Sequence, residues 1–437
     1  MTLIRENGRG DGPLAGPGRA RRQLAPLAVA TLVLGVGCAG LAQAAAKLQV
    51  IMAFGGGRGI YPVAAPVADG AGNLYVTSDD GGAYDYGAVV ELSPPAPGQK
   101  AWSRTVIHAF EFADGAFPDA SLIVDGAGNL YGVTGGGGVN GDGVAFELSP
   151  PAAPKRAWTE TVLHDFGGLG GTDGQDPSSA LTPNGAGGFY GVASAGGAHG
   201  DGVVYELSPP PEGRKTWIET VLYSFAGADG QAPQWALVAD GRGDLYGTTS
   251  QGGANRVGVA YQLSPPSPGQ SAWTQTVLHS FDGTFGAGPS SGLITDGAGN
   301  LYGTTFGGAE QDGQAYELSP PTQGETRWTR TVLRAFDEHL KDPQKGKYPL
   351  GGLIADAGGN LYGVTYQGGV YDYGVVFELS PSEAGGKPWK ETILHAFDGK
   401  HGRNPEAGLI VDGAGGFYGT TRFGGRYDGG VVFKLAP

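Results

Sequence analysis

Residues 296–305 read DGAGNLYGTT, and six related versions of this stretch recur along the chain. Each version contains a Leu-Tyr or Phe-Tyr pair, and the tyrosines of successive pairs are separated by 56, 59, 56, 56, 60 and 56 residues. These tyrosines are Tyr75, Tyr131, Tyr190, Tyr246, Tyr302, Tyr362 and Tyr418. A nearly fixed period of this length is typical of proteins built from stacked structural repeats, so we interpret the chain as seven copies of one unit.

Each unit contains the pattern of four short strands. In the second unit the first strand is Leu122–Val124, and the glycine-rich turn that follows leads to a second strand over 130–134, because glycines supply the positive φ that tight hairpins need. The third strand covers 144–148 and the fourth 158–166. Both faces of the fourth strand carry apolar residues, so both must be covered. The sequence therefore predicts an all-β fold, a seven-bladed β-propeller with four antiparallel strands per blade.

The two ends of the repeat array indicate a closed ring. The seventh unit reaches Pro437 after its third strand, whereas Leu48–Phe54 aligns with the missing fourth strand. Phe54 precedes Tyr75 by 21 residues, as Phe110 precedes Tyr131. We therefore expect the N-terminal strand to complete the last blade, within a single propeller domain over 45–437.

The composition supports a β-rich fold and argues against some function classes. The 437 residues include 84 glycines and 30 prolines, and glycine costs about 1 kcal/mol per position in a helix interior, which argues against a helical architecture. Hydrophobic residues make up 40% of the chain, too many for an intrinsically disordered protein. The formal charge of −14 argues against nucleic acid as a partner, because such binding depends on neutralising phosphates.

Residues 1–44 have the pattern of an export signal. An apolar stretch, Leu24–Leu41, follows Arg21-Arg22 and ends before Ala42-Gln43-Ala44, a small-x-small cleavage site. We predict an exported protein, periplasmic or secreted, cleaved near Ala44 and carried by the general secretory or the twin-arginine route. The mature chain would then have no membrane span. The alternative is a single membrane anchor over the same apolar stretch.

The leader also contains the single cysteine, Cys38. The mature chain would therefore have no disulfide, and its stability would depend on packing. The leader holds five arginines and two acids, so its removal takes the formal charge from −14 to −17.

Length variation is concentrated in one type of loop. The spacing from the last Phe of the fourth strand to the next repeat Tyr is 21 in five units, but 24 for Phe166–Tyr190 and 26 for Phe336–Tyr362. In a propeller this connection emerges on the same face as the loop between strands two and three. One face is therefore predicted to be uniform and the other variable. We expect function on the variable face, since binding residues are concentrated on loops that a rigid scaffold presents.

Three loops of this face combine tyrosine with aspartate, and they belong to units one, six and seven, which ring closure makes neighbours. The candidate ligand-binding residues are Tyr84, Asp85, Tyr86, Tyr371, Asp372, Tyr373, Tyr427 and Asp428. Aromatic rings stack on sugars, and carboxylates accept hydrogen bonds from hydroxyl groups, so this composition suits a glycan or another surface polymer. The alternative is that each Asp caps its turn and each Tyr covers a blade edge.

Other residue types give weaker signals. Four histidines occupy one repeat position and are interpreted as scaffold, and three others are scattered over loops of different units. The first group is His108, His164, His279 and His395, and the second is His199, His339 and His401. The DGAGN turns lack the alternating oxygen ligands and closing Glu of a calcium loop, and no glycine motif opens a helix as nucleotide sites require. We therefore predict no metal site and no cofactor.

The recurring unit, with its GVVFELSP strand, TVLHxF strand and DGxGNLYGTT hairpin, resembles the GloVer tandem repeat of exported bacterial proteins. The resemblance covers residues 47–437. It implies a secreted or surface-displayed repeat protein without an established activity.

Two hypotheses for the function follow. The first is a monomeric, non-catalytic binding module whose variable face recognises a glycan or surface polymer. The second is a lyase or hydrolase that acts on a polysaccharide or a cyclic peptide, with acids drawn from Asp85, Asp372, Asp428 and the insertion 338–342.

Overall fold

A computed structural model of the chain describes residues 46–55, 61–152, 157–168, 171–214, 216–283, 288–307, 312–336, 345–382 and 389–436. The predicted leader, Cys38, His339 and the insertion 338–342 lie outside the described residues. The described part is all-β, with seven four-stranded antiparallel sheets arranged in a ring, and contains no helix. The prediction of a seven-bladed β-propeller is confirmed.

The first three blades follow the chain in order after the N-terminal strand, β1 (Lys47–Ala53). Blade one consists of β2 (Val67–Ala68), β3 (Leu74–Ser78), β4 (Ala88–Ser93) and β5 (Ser103–Ala109). Blade two consists of β6 (Ile123–Val124), β7 (Leu130–Thr134), β8 (Val144–Ser149) and β9 (Thr159–Asp165). Blade three consists of β11 (Thr182–Pro183), β12 (Phe189–Ala193), β14 (Val203–Ser208) and β15 (Ile218–Ser224), with a two-residue ribbon of β10 (Gly174–Gln175) and β13 (Ala195–Gly196) beside it.

The remaining four blades repeat this plan. Blade four consists of β17 (Val238–Ala239), β18 (Leu245–Gln251), β19 (Val259–Ser264) and β20 (Thr274–Ser280), with β16 (Gln231–Pro233) added along β18. Blade five consists of β21 (Ile294–Thr295), β22 (Leu301–Thr305), β23 (Gln314–Ser319) and β24 (Thr329–Ala335). Blade six consists of β26 (Ile354–Ala355), β27 (Leu361–Thr365), β29 (Val375–Ser380) and β30 (Lys390–Ala396), beside the ribbon of β25 (Gly346–Lys347) and β28 (Gln367–Gly368). Blade seven consists of β31 (Ile410–Val411), β32 (Phe417–Thr421), β33 (Val431–Ala436) and β1.

Strand β1 closes the ring as the sequence predicts. It pairs antiparallel with β33, with Lys47 opposite Ala436 and Ala53 opposite Val431. The backbone N–H of Phe54 donates to the carbonyl oxygen of Gly430 at 2.9 Å. The first and last segments of the propeller therefore share one sheet.

Seven apolar clusters fill the spaces between consecutive blades, and they account for the apolar residues on both faces of each sheet. In the cluster between blades one and two, the rings of Phe110 and Phe146 meet edge to face, 5.2 Å between centroids. The closing cluster packs Ile51 and Phe54 of blade seven against Leu74 of blade one. Packing is thus continuous around the ring.

The short first strand of each blade lies next to the central axis. Strand β2 lies against β6 of the next blade, and a Cβ at Gly351 would lie 2.7 Å from the carbonyl oxygen of Ala407, in the next blade. The loops that lead into these strands therefore surround the axis on the variable face, together with the starts of the loops that leave the second strands. This arrangement positions the site described below.

Each repeated DGAGN turn is organised by its aspartate. In the fifth unit, Asp296 Oδ1 accepts hydrogen bonds from the backbone N–H groups of Ala298 and Asn300, both at 2.9 Å. Its Oδ2 accepts from Asn300 Nδ2 at 2.9 Å and from the Tyr302 hydroxyl at 3.0 Å. Burial opposes ionisation here, but these hydrogen bonds outweigh it and lower the pKa of Asp296. The hydrogen bonds of this carboxylate are therefore made within its own hairpin, as expected for a structural turn.

Candidate functional site

The predicted Tyr-Asp loops lie on blades one, six and seven, which are consecutive in the ring. Tyr84, Tyr371 and Tyr427 are the most exposed of the predicted tyrosines, with 52%, 58% and 55% of their surface accessible. Their rings are therefore open to a ligand. The flanking tyrosines are less available, since Tyr86 packs on Phe112 with 5.2 Å between ring centroids and Tyr373 is 37% exposed.

The three predicted aspartates have a role in their own turns. Asp85, Asp372 and Asp428 adopt positive φ angles of 71°, 57° and 58°, and Arg256 has 63° at the same repeat position of blade four. A left-handed residue is uncommon outside glycine, and aspartate tolerates it better than most side chains. The shared conformation shows that this position is set by the shape of the loop.

Two of these carboxylates also complete the loop by hydrogen bonding. Asp372 Oδ1 accepts from the backbone N–H of Gly368, and Asp428 Oδ1 accepts from that of Gly424, both at 2.9 Å. Asp428 additionally forms an ion pair with Arg403, 3.1 Å between Nη2 and Oδ2. The geometry supports turn capping for the aspartates and leaves the exposed tyrosines as the part of the predicted set that can contact a ligand.

A second group of residues lies around the axis on the same face, and the sequence analysis did not single it out. We call Asp79, Asp119, Asp176, Glu406 and Arg422 the mouth cluster. Arg422, at the end of β32 in blade seven, lies 3.0 Å from Glu406 Oε2 and 3.4 Å from Asp79 Oδ2 of blade one. The other oxygen of Asp79, Oδ1, is buried and accepts no hydrogen bond from the described residues.

The carboxylates continue from blade one into blades two and three. Asp119 is solvent-accessible yet surrounded by protein, as expected for a side chain that lines a recess. Removal of bulk water, followed by the charges of Asp176 and Asp79, raises the pKa of Asp119 to about 7. Asp176 accepts a hydrogen bond from the Ser194 hydroxyl at 2.5 Å. An Asp119 carboxyl with this pKa is partly protonated near pH 7.

Gly135 leaves space between two of these carboxylates. A Cβ at Gly135 would lie 3.1 Å from Asp176 Oδ1 and 3.9 Å from Asp119 Oδ2. Both oxygens therefore face one point next to the glycine, where a hydroxyl or a cation could contact both.

Aromatic residues occupy the corresponding positions of other blades. Phe306 is 44% exposed and stacks on Tyr348, with 5.1 Å between ring centroids and 28° between planes. Tyr366 follows at the same repeat position as Phe306 in the next blade, and Phe117, beside Asp119, is 42% exposed. The variable face therefore carries exposed aromatic rings both beside the acids of the mouth cluster and in blades five and six.

A signal for the mouth cluster was present in the repeat alignment. The position four residues after the repeat tyrosine differs in nearly every blade, although the residue before it is Thr, Ser or Ala in all seven. Its occupants are Asp79, Gly135, Ser194, Ser250, Phe306, Tyr366 and Arg422. A variable position within an otherwise regular strand end is a mark of a site under different selection from the scaffold.

Two further groups of ionisable side chains lie between the outer strands of neighbouring blades. They are His108, Asp114 and Glu160 between blades one and two, and His164, Asp173 and Glu219 between blades two and three. In each group the ligand-type atoms lie within 4.8 Å of one another. These histidines were predicted from the sequence to belong to the scaffold, and the acids beside them were not predicted.

Among the described residues no helix is long and apolar enough to cross a membrane. No curated protein matches the chain. The model of a family described as the Gloeobacter/Verrucomicrobia repeat matches residues 40–217, 154–355 and 326–437. These overlapping matches extend over nearly all of the chain.

Three solved structures are similar to the chain at low sequence identity. One is the extracellular domain of a protein described as a hybrid two-component system from B. thetaiotaomicron, with a TM-score of 0.50 and 11% identity; the match covers 90% of this chain and 40% of that one. A protein described as a 6-phosphogluconolactonase from Bacteroides uniformis has a TM-score of 0.46 and 12% identity, over 75% of this chain and 83% of that one. A protein of unknown function from Dyadobacter fermentans has a TM-score of 0.42 and 12% identity, and the match covers 89% of this chain and 98% of that one.

Proposed function

Since the chain belongs to the Gloeobacter/Verrucomicrobia repeat family and folds as a seven-bladed β-propeller, we propose that it is an exported binding module without catalytic activity. Its ligand would be a glycan or another hydroxyl-rich surface polymer, bound on the variable face. The predicted export signal at 1–44 supports the proposed location, and the chemistry of the face supports the proposed ligand.

The observation that carries the proposal is the mouth cluster with its neighbouring aromatic rings. Asp119 and Asp176 face one point beside Gly135, where they could accept hydrogen bonds from sugar hydroxyls. Phe117 and Phe306, both more than 40% exposed, offer apolar faces for the C–H surface of a sugar ring. Binding sites commonly combine a few convergent polar groups with aromatic walls in this way.

The exposed tyrosines of the outer loops extend this surface. Tyr371 and Tyr427 belong to blades six and seven, and Tyr84 belongs to blade one, the blade that also carries Asp79. One sugar unit of a polymer could contact the mouth cluster while other units of the same polymer contact the tyrosines. This arrangement favours a chain-like ligand over a small molecule.

A polysaccharide array followed by pull-down tests the proposal with the mature chain. We expect Asp119→Asn combined with Asp176→Asn to weaken binding of the polymer by at least tenfold, because both acceptors facing Gly135 are altered. Phe306→Ala should weaken it by a smaller factor, about 5–10-fold, as expected for the loss of one stacking ring.

The matched control is Gln270→Ala, an exposed residue on the opposite, uniform face, which should leave binding unchanged. If no polysaccharide binds, or if the mouth cluster variants and the Tyr84→Ala, Tyr371→Ala and Tyr427→Ala variants all bind as the unaltered chain does, the proposal is wrong.

A specific observation also supports a second candidate, a polysaccharide hydrolase or lyase that uses the mouth cluster. Asp119, with its pKa raised to about 7, could donate a proton near neutral pH while the nearby Asp176 carboxylate acts as a base. The acids first considered for this role are less suitable, since Asp372 and Asp428 are engaged in their own turns.

Product analysis separates the two candidates. New reducing ends or unsaturated sugars that appear with the unaltered protein, and disappear with Asp119→Asn, would support the enzyme. Binding of the same polysaccharide without new products would support the binding module.

A further inference from the structure

We propose that the two groups between the outer strands of blades one, two and three are zinc sites, each formed by one histidine and two carboxylates. We name His108, Asp114 and Glu160 the first interblade site, and His164, Asp173 and Glu219 the second. This inference is independent of the proposed binding function, because the ligands lie between the outer strands rather than among the mouth residues.

The distances within each group suit a metal ion. His108 Nε2 lies 3.2 Å from Asp114 Oδ2, and His164 Nε2 lies 3.3 Å from Asp173 Oδ1. Ligand atoms of a tetrahedral zinc ion, at bond lengths of about 2.0–2.1 Å, are about 3.3 Å apart. Glu160 or Glu219 supplies the third ligand within 4.8 Å. One coordination position would remain for water.

Each group also contains a buried carboxylate oxygen that needs a positive partner. Oε1 of Glu160 and Oε1 of Glu219 are buried and accept no hydrogen bond from the described residues. A buried polar atom without a partner is costly, and two carboxylates in one small space repel each other unless a proton or a cation lies between them. In each site, a divalent cation would bind the buried glutamate oxygen, reduce the repulsion between the two carboxylates and coordinate the histidine.

Sister positions in other blades show how the same interface is completed without a metal. Between blades three and four, Tyr223 and Gln275 replace the histidine and the glutamate. The Tyr223 hydroxyl donates a hydrogen bond to the Asp229 carboxylate, and Gln275 Nε2 donates to the backbone carbonyl oxygen of Asp229. Between blades five and six, Arg334 lies 2.7 Å from Glu391 and supplies the positive charge. The two interblade sites have the acids of these interfaces but neither the neutral donors nor the arginine.

The ligand types select the metal. An imidazole nitrogen with two carboxylate oxygens suits zinc, whereas calcium and magnesium prefer all-oxygen sites with more ligands. The ion in the first interblade site would join β5 to β9, and the ion in the second would join β9 to β15. These three strands are the outer strands of consecutive blades. It would therefore stabilise the ring at its periphery.

Metal analysis tests the proposal on the mature chain after treatment with EDTA, dialysis and equilibration with Zn²⁺. We expect about two zinc ions per chain by inductively coupled plasma mass spectrometry, and a rise in Tm with Zn²⁺ that Ca²⁺ and Mg²⁺ do not reproduce. His108→Gln and His164→Gln should each reduce the content to about one, and the double variant to none.

A gain-of-site variant gives the strongest check. Tyr223→His combined with Gln275→Glu recreates the histidine and glutamate beside Asp229, so the zinc content should rise from two to three per chain. His279→Gln, a histidine at the same repeat position outside both sites, should leave the content at two.

Circular dichroism verifies that each variant is folded. If a histidine variant fails to fold, cobalt replaces zinc in the unaltered chain, and the visible absorption of Co²⁺ with nitrogen and oxygen ligands in low coordination supports the sites. A zinc-free chain under these conditions, or a zinc content that the histidine and gain-of-site variants do not change, would overturn the proposal.

Discussion

At the residue scale, one aspartate organises the hairpin that begins six of the seven blades. Asp69, Asp125 and Asp356 accept the same set of hydrogen bonds as Asp296, from two backbone N–H groups, an asparagine amide and a tyrosine hydroxyl. In blade three the position is Asn184, whose Oδ1 retains the two backbone contacts at 2.8 and 2.9 Å. The two backbone contacts are therefore the common element.

Replacement of this aspartate should destabilise the protein by an amount that depends on the substitute. Asp296→Ala leaves four donors without their acceptor and should lower the free energy of unfolding by about 1–3 kcal/mol. Asp296→Asn should cost less, because it reproduces the arrangement of Asn184. Urea denaturation of the two variants measures the difference, and equal losses for both would contradict the role assigned to the backbone contacts.

The residue scale is also where prediction from the sequence was least complete. The loop tyrosines could be predicted because they recur next to aspartates in several repeats. Comparison of the repeats identifies residues that recur, and it does not identify residues that differ from blade to blade. Asp79, Asp119 and Arg422 occupy positions where the blades differ, and their proximity depends on convergence around an axis. Spacing along the chain contains no such information until the ring has been built.

At the element scale, the second and third strands of each blade match a glycine with a large ring. Gly303 lies opposite Tyr316, and a Cβ there would lie 2.6 Å from the tyrosine oxygen. Five other blades repeat the pair with Tyr or Phe. In blade one both partners change, and Val76 faces Val90. The combined side-chain volume of each pair is therefore similar from blade to blade.

A double-mutant cycle measures this compensation. Gly303→Val should destabilise the protein by about 1–3 kcal/mol, because the added side chain collides with the Tyr316 ring. Adding Tyr316→Val should recover part of that loss, since it recreates the valine pair of blade one. A double variant whose loss equals or exceeds the sum of the single losses in thermal unfolding would contradict the explanation.

Strand boundaries were predicted well, and one feature of the outer strands was not. The second strand of blade two spans Leu130–Thr134 as predicted. In the outer strand the pairing slips between Ala145 and Phe146, which are opposite His164 and Val162, and the sequence analysis contained no prediction of this bulge. This bulge leaves Val162 38% exposed and buries Leu163. The residue types do not reveal the bulge, because the inserted Leu163 follows another apolar residue, Val162, and nothing marks it as unpaired.

At the scale of the whole molecule, closure depends on β1. Phe54 has no accessible surface, and it packs into the cluster between blades seven and one. The hydroxyl of Thr420 in blade seven also donates to the carbonyl oxygen of Ala64 in blade one at 3.1 Å. The interface between blades seven and one, which we call the seam, is therefore packed like the other blade interfaces.

Loss of the closing aromatic should open this seam. Phe54→Ala should lower the free energy of unfolding by about 3–5 kcal/mol, the usual range for a large buried ring replaced by a cavity. Trypsin should then cleave after Lys47 faster than in the unaltered protein. Phe112→Ala, whose ring is 42% exposed, is the control and should leave both quantities nearly unchanged. An unaltered cleavage rate in Phe54→Ala would show that the strand is held by other contacts.

The balance of ionisable groups predicts an acidic optimum of stability in the metal-free protein. Asp69, Asp296 and Asp412 have lowered pKa values, so the stability they provide is present above about pH 4 and is lost as the pH falls further. The pKa values of Glu160 and Glu219 are raised to about 7, by burial first and then by Asp114 and Asp173. Their protonated forms favour folding, and this contribution declines as the pH rises from about 4 through 7.

In EDTA, Tm should therefore fall between pH 5 and pH 8, and Glu160→Gln with Glu219→Gln should reduce that fall. A Tm that rises over this interval would contradict the assignment. With Zn²⁺ present the trend should weaken, because the metal replaces the proton between the carboxylates.

The pairing of Lys47 with Ala436 also sets an order of events during synthesis. These partners are 389 residues apart in the chain, so at about 5–20 residues per second the first strand waits on the order of 20–80 s for the strand beside it. Blade one can form early, but its face toward blade seven stays uncovered until blade seven has been synthesised. A chaperone that binds exposed apolar surface would therefore act on that face during this interval.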